Sequence, residues 1–269
     1  MKKGIWRIRV EVRMDGRVAL ITGGSKGLGY AMGLKFAESG AEVALLSRDK
    51  GEVESAAIKM SKITGMGCAG FQCDVSKASE IESTFTHVID KFGKVDILIN
   101  NAGHAKAGPI LSITDEEWQY DFDLKLMAAV RMSRLVFPGM QERKWGRILN
   151  MLNTLAKTPV AGSAPTSVTR AAGMALTKVL AGEGAPHNIL VNGFNIGRIK
   201  SDQIQRAYDH SNTTMSYDEY VARAGENIPL GRYGEAEECA NLACLLCSDA
   251  GGYVTGTSIN VDGNLCAAL

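Results

Sequence analysis

"TGGSKGLG", residues 22–29, is the stretch on which the fold turns. It follows a short β-branched run, "RVALIT" (17–22), and opens a segment with helical spacing, "LGYAMGLKFAESG" (28–40). A glycine-rich turn between a strand and a helix can cradle the phosphates of a dinucleotide. Gly23 permits the sharp turn. Gly27 and Gly29 let backbone approach a pyrophosphate and let the helix pack closely on the sheet. Ser25, Lys26 and Leu28 complete the turn, and the free N–H groups at the helix start face the negative ligand. Alone such glycines are a weak signal; the strand before and the helix after make it strong.

From Met14 onward the same alternation continues. "AEVALLS" (41–47), "CAGFQCDV" (68–75), "KVDILIN" (94–100), "GRILNML" (146–152), "NILVNGF" (188–194) and "TSINVDG" (257–263) read as strands. Helical patterns lie between them: 51–64, 78–93, a long helix from about Asp115 to Phe137, 164 to about Glu183, and a cysteine-rich helix near the C-terminal end. Strands alternating with helices of this length imply βαβ units and a parallel sheet covered on both faces. The 269 residues fit one large α/β domain. Residues 198–230 break the rhythm with a polar insertion carrying Tyr208, Tyr217 and Tyr220. Ligands of such sheets bind at the carboxyl ends of strands, so the insertion is a candidate substrate lid.

Hydrophobic residues make up 45% of the chain, enough for a large core, and the net charge is +1. That balance gives no electrostatic footprint for nucleic acid, and no apolar run reaches membrane-spanning length. Residues 1–13 are basic and read as a disordered extension, with the domain proper covering 14–269. They carry neither the apolar core of a secretory signal nor a transit-peptide composition. The six cysteines are therefore expected as free thiols of a cytoplasmic protein. Cys244 and Cys247 form a Cys-x-x-Cys inside an amphipathic helical pattern, where core packing is the expected role and no metal site is expected.

The second strand ends at Ser47–Arg48. An acid there would accept from a ribose 2′-hydroxyl, whereas an arginine accommodates a 2′-phosphate. With Lys26 on the same side, the pattern favours NADP(H) over NAD(H), although the adjacent Asp49 keeps NAD(H) open. Asp74, followed by Val75 after the third strand, is placed to accept from an adenine amino group or, like Ser76, to cap the next helix. "NNAG" (100–103) closes the fourth strand, so Asn101, Ala102 and Gly103 would border the nicotinamide ribose.

The order "TGGSKGLG", "CDV", "NNAG", "GRILN", "RAAGMALTK", "APHNILVN", "TGTSINVDG" resembles the classical short-chain dehydrogenase/reductase family, over about Met14 to Val261. The resemblance implies a single doubly wound, Rossmann-type domain with a parallel sheet of seven strands, a nicotinamide cofactor and a homotetramer or homodimer. It also implies a catalytic set: a tyrosine that moves the proton, a lysine four residues later, a serine thirteen residues earlier and an asparagine on the preceding long helix. Here the tyrosine slot falls on Thr166, the lysine slot on Arg170, the serine slot on Asn153 and the asparagine slot on Lys125. The Pro-Gly expected after the sixth strand reads Ile196–Gly197.

All four replacements change the chemistry. An aliphatic hydroxyl is a far weaker acid than a phenol of pKa about 10. Arg170 stays protonated but can hold ribose hydroxyls. Asn153 can donate to a substrate oxygen. Lys125, if buried beside Arg170, would have a lowered pKa and could serve as general acid; equally it could bind an anionic group on the ligand. His104 and the three insertion tyrosines are further candidate acids. The resulting expectation is an NADP(H)-dependent oxidoreductase acting on a carbonyl, imine or activated alkene of a small, anionic substrate, with a non-tyrosine proton donor. The alternatives are an NADP(H)-binding protein without redox turnover, acting as a sensor or an inactive oligomer partner, and a lyase or isomerase on the same scaffold.

Overall fold

Seven apolar runs assemble into one parallel sheet: β1 (Val18–Thr22), β2 (Glu42–Ser47), β3 (Cys68–Gln72), β4 (Ile97–Asn100), β5 (Gly146–Asn153), β6 (Ile189–Ile196) and β7 (Ser258–Val261). Their spatial order is β3-β2-β1-β4-β5-β6-β7, every adjacent pair parallel. The computed structural model describes residues 12–104 and 106–269, with the backbone alone at Asp202, Gln203 and Arg206. Of the expected N-terminal extension, residues 1–11 lie outside the described residues. Its end already belongs to the domain: Val12 packs on the core, Arg13 pairs with Asp15, and Met14 is buried with its N–H on the Ser39 carbonyl.

The central strands β1 and β4 are buried on both faces, which is why they read as unbroken apolar runs rather than alternating ones. On one face, α1 (Gly27–Glu38), α2 (Lys50–Thr64) and α9 (Ala236–Cys247) cover a core built around Phe36, Met60 and Leu45. On the other, α3 (Ala78–Phe92), α5 (Ala128–Arg143) and α6 (Thr166–Gly184) enclose Leu98, Met132 and Val191. The direction of winding reverses between β1 and β4, so the crevice beyond their carboxyl ends is the ligand position of the fold.

The expected long helix is two helices. α4 (Asp115–Phe122) meets α5 through a π turn, Asp123–Met127, and α5 continues past Pro138 to Arg143. Tertiary anchors explain the extension: Met140 is fully buried and Arg143 reaches the buried Asp96 at 3.1 Å. Helix α6 begins at Thr166 because Ala164–Pro165 pairs with Ala107–Gly108 in a two-residue antiparallel ribbon. The insertion folds into α7 (Asp202–Asp209) and α8 (Tyr217–Gly225). Tyr208 packs edge-on against Tyr217 and Tyr220, at 5.4 and 5.5 Å, and its hydroxyl donates to the Met215 carbonyl. These three tyrosines hold α7 to α8. No helix among the described residues is long and apolar enough to cross a membrane.

Candidate active site

The glycine turn is shaped by contact. A Cβ at Gly29 would lie 2.3 Å from the Gly23 carbonyl oxygen and 2.7 Å from Asn101 Nδ2. Gly23 and Gly27 both take positive φ, 65° and 58°. Asn101 stitches the ends of β1 and β4 together, donating from Nδ2 to the carbonyls of Thr22 (2.9 Å) and Gly23 (3.0 Å). Thr22 Oγ1 accepts from the N–H groups of Asn101 and Ala102, both at 2.9 Å. Helix α1 starts after Lys26 with no side-chain cap. Its first N–H groups therefore lack the usual side-chain acceptor, as a pyrophosphate cradle requires.

At the end of β2, Arg48 donates to the Tyr120 hydroxyl at 3.2 Å. The neighbouring Asp49 caps α2, accepting from Glu52 N–H at 2.8 Å, so its role is structural. Ser25 contacts Ser47 (3.3 Å) and Glu52 (3.4 Å), and Lys26 lies 3.6 Å from Glu52. Asp74 is not a helix cap: its Oδ1 accepts from Ser76 N–H and Oγ, a local turn, and α3 begins only after Lys77. Val75 is buried beside it. Gly197 packs against Asp262, where a Cβ would meet that residue's Cβ at 2.5 Å.

The four positions that the resemblance assigns to the catalytic set, Lys125, Asn153, Thr166 and Arg170, lie around the carboxyl ends of β4 and β5. Lys125 sits in the π turn, an irregularity frequent at functional sites. Its ammonium is buried, ion-paired with Asp121 one turn earlier, and donates to Thr166 Oγ1 at 2.7 Å. The second Asp121 oxygen accepts from Thr169 Oγ1 at 2.6 Å. Thr166 donates to the Lys106 carbonyl at 2.6 Å and accepts from the Lys106 N–H at 3.2 Å. One donor and two acceptor positions are all a hydroxyl has, and Thr166 uses them within the protein.

Arg170 donates to the Met151 carbonyl, and its guanidinium lies against Gly103, where a Cβ would meet Nη2 at 2.6 Å. Burial pushes Arg170 down to about 10, which leaves it cationic at neutral pH. Burial also lowers Lys125, opposed by Asp121 and assisted by Arg170. No hydrogen bond links Lys125 to Arg170. A cavity of about 10 Å³, one water in size, lies among Asn100, Lys125, Asn150 and Arg170. The Asn153 carboxamide oxygen is buried and without a protein partner. His104 stacks obliquely on Tyr120, and its pKa is lowered by burial and then by Lys125.

Asp121 and Thr169 were not singled out from the sequence. The available signal was an acid four residues before Lys125, the spacing of a helical ion pair. Their presence changes the electrostatics. Lys125 is balanced by Asp121, so Lys125 and Arg170 together no longer argue for an anionic substrate. The cysteines are free; Cys239, Cys244 and Cys247 are buried in the core. Among the described residues no cluster of His, Cys, Asp and Glu could hold a metal ion.

A family model described as enoyl-(acyl carrier protein) reductase matches residues 23–265, a span that takes in the glycine turn and Lys125, Asn153, Thr166 and Arg170. The chain belongs to the short-chain dehydrogenase/reductase family. It is 29% identical to the 3-oxoacyl-[acyl-carrier-protein] reductase FabG of Aquifex aeolicus, over 95% of this chain and 100% of that protein. The crystal structure of L-sorbose reductase from Gluconobacter frateurii, complexed with NADPH and L-sorbose, superposes with a TM-score of 0.92 at 33% identity, covering 97% of this chain and 100% of that one. YwfH, an NADPH-dependent reductase involved in bacilysin biosynthesis, gives 0.86 at 28% identity, covering 94% and 99%. Within this dehydrogenase/reductase scaffold the chain has a glycine-rich turn between β1 and α1 that is closed to a Cβ at Gly29.

Proposed function

We propose that this chain is an NADP(H)-dependent reductase of activated alkenes, with imines and carbonyls as lesser acceptors. The observation that carries the reading is the division between the two halves of the cleft. The cradle of Gly23, Gly27, Gly29 and Asn101 is closed to a Cβ at Gly29, while the Thr166 hydroxyl has no free hydrogen-bonding capacity. Arg48 at the end of β2 supports a 2′-phosphate, as do the NADPH named for L-sorbose reductase and for YwfH.

Bound NADPH would supply the hydride. The chain's own residues then stabilise negative charge rather than deliver a proton. On an enone, Arg170 and the Asn153 carboxamide N–H would donate to the oxygen on which the negative charge collects. Protonation on carbon follows from solvent, so a phenol is not needed at the moment of hydride transfer. Asn153 Oδ1, buried without a partner, suits a donor on the substrate. The insertion 198–230, between β6 and α9, is the proposed lid over that substrate.

A second reading, an NADP(H)-binding protein without turnover, is favoured by the saturated Thr166 hydroxyl. NADPH oxidation against enones, imines and ketones separates the two. Enone turnover by the wild type, with ketones slower, supports the reductase. Tight NADPH binding with no turnover of any acceptor overturns it in favour of the second reading.

A further inference from the structure

Asp121 lies outside the four substituted positions, yet its carboxylate is as buried as the ammonium it meets: both side chains are 1% exposed. A buried charge persists only with a partner, and these two use each other. The contacts form an unbroken path. Thr169 on α6 donates to Asp121, Asp121 pairs with Lys125 in the π turn, Lys125 donates to Thr166 at the start of α6, and Thr166 holds the backbone of Lys106. Lys106 in turn pairs through its own ammonium with Glu117 on α4 at 2.6 Å. The loop after β4, which includes Gly103 beside Arg170, is thus fastened to Thr166, the hydroxyl to which Lys125 donates.

The titratable and charged groups facing Lys125 are Asp121 on α4, Arg170 on α6 and His104 on the loop after β4. From β5 it is faced by the neutral Asn150 and Met151. Arg170 repels an ammonium and burial disfavours it, so Asp121 is the group that favours the charged form. We propose that Asp121 is a positioning residue that keeps Lys125 an ammonium aimed at Thr166, holding the site in one charge state through neutral pH. This inference rests on the reductase reading only in its turnover arm.

The test uses Asp121→Asn, Asp121→Glu and the double variant Asp121→Asn/Lys125→Met. Thermal midpoints are measured from about pH 6 to about pH 9. In Asp121→Asn, the folded state holds Lys125 with a depressed pKa and binds fewer protons than the unfolded chain. Its stability deficit is therefore largest at the acid end and shrinks as pH rises. The double variant recovers most of the midpoint and shows no such slope, and Asp121→Glu keeps the flat profile. With an enone acceptor, kcat of Asp121→Asn falls by about tenfold or more between the same limits, while the NADPH KM stays nearly constant and the wild type is flat.

A deficit in Asp121→Asn that is equal at every pH overturns the proposal, as does a double variant no better than the single. If Asp121→Asn does not fold, folding of the double variant supports the proposal and its failure overturns it. If the wild type turns over no acceptor, the reductase reading fails, and the midpoints still decide the role of Asp121.

Discussion

Thr166 and Lys106 hold one another by two hydrogen bonds, hydroxyl to carbonyl at 2.6 Å and N–H to hydroxyl at 3.2 Å. The residue in the family's tyrosine slot is thereby a staple between α6 and the loop after β4. Thr166→Val removes the staple and strands the Lys106 backbone and the Lys125 ammonium. The expected cost is about 2–3 kcal/mol, read by urea denaturation, because buried polar groups lose partners. Thr166→Ser should lose much less. Thr166→Tyr alone should gain no ketone reductase activity, since Lys125 and Asp121 still occupy the space and charge the phenol would require.

The glycine cradle gives a contrast of two alanines. At Gly29 a Cβ would be driven into the Gly23 carbonyl at 2.3 Å, whereas at Gly27 nothing lies within 4 Å. Gly29→Ala should cost about 1–3 kcal/mol of stability by overpacking and abolish NADPH binding. Gly27→Ala should cost about 1–2 kcal/mol through its positive φ. Fluorescence titration of NADPH alongside denaturation distinguishes them: equal damage at both positions would contradict the packing argument.

Arg48 is the residue proposed to meet the 2′-phosphate. Arg48→Ala should weaken NADPH binding by about ten- to a hundredfold, the worth of a charge-assisted bond to phosphate, while NADH binding barely changes. Tyr120→Phe frees Arg48 from its 3.2 Å hydroxyl partner and should tighten NADPH slightly. Calorimetric Kd values for both cofactors check the ratio; a parallel loss for NADH would remove Arg48 from the 2′-phosphate site.

Cys239 and Cys247 should be inert in the folded protein. Burial pushes both thiols up to about 12, so almost no thiolate exists near neutrality. A thiol reagent at mildly alkaline pH should label the half-buried Cys68 first and reach Cys239 and Cys247 only on unfolding. Rapid labelling of Cys247 in the native state would reopen a redox role for the Cys-x-x-Cys pair.

The fold was legible because its signals are local and repeated. "VALIT", "EVALLS" and "ILIN" had to be buried strands, and "TGGSKGLG" joins the first of them to a helix. The choice of NADP(H) was legible in the same motifs, since chain geometry places turn glycines and the residue after β2 at the ends of β1 and β2. The substituted centre was legible only as a set of positions. The neutralising partner of Lys125, Asp121, lay within the i, i+4 spacing of one helix, whereas its hydroxyl acceptor, Thr166, comes from a separate segment and meets it only when α6 packs on the π turn. The π turn and the run of α5 through Pro138 were hidden for the same reason: burial of Met140 and the Arg143–Asp96 pair override what proline predicts locally.

The π turn carries a consequence for how this site could be lost. A π turn holds one residue more than an α turn, so deleting a single residue within 123–127 lets α4 and α5 join as one regular helix. Because the turn absorbs that residue locally, the deletion leaves the faces of α4 and α5 nearly aligned and alters chiefly the register inside the turn. Asp121, before the turn, would keep its buried place, whereas Lys125, inside it, would be displaced, leaving a buried carboxylate without its ammonium. One surplus residue thus holds the ion pair together while the sheet and cradle are built without it.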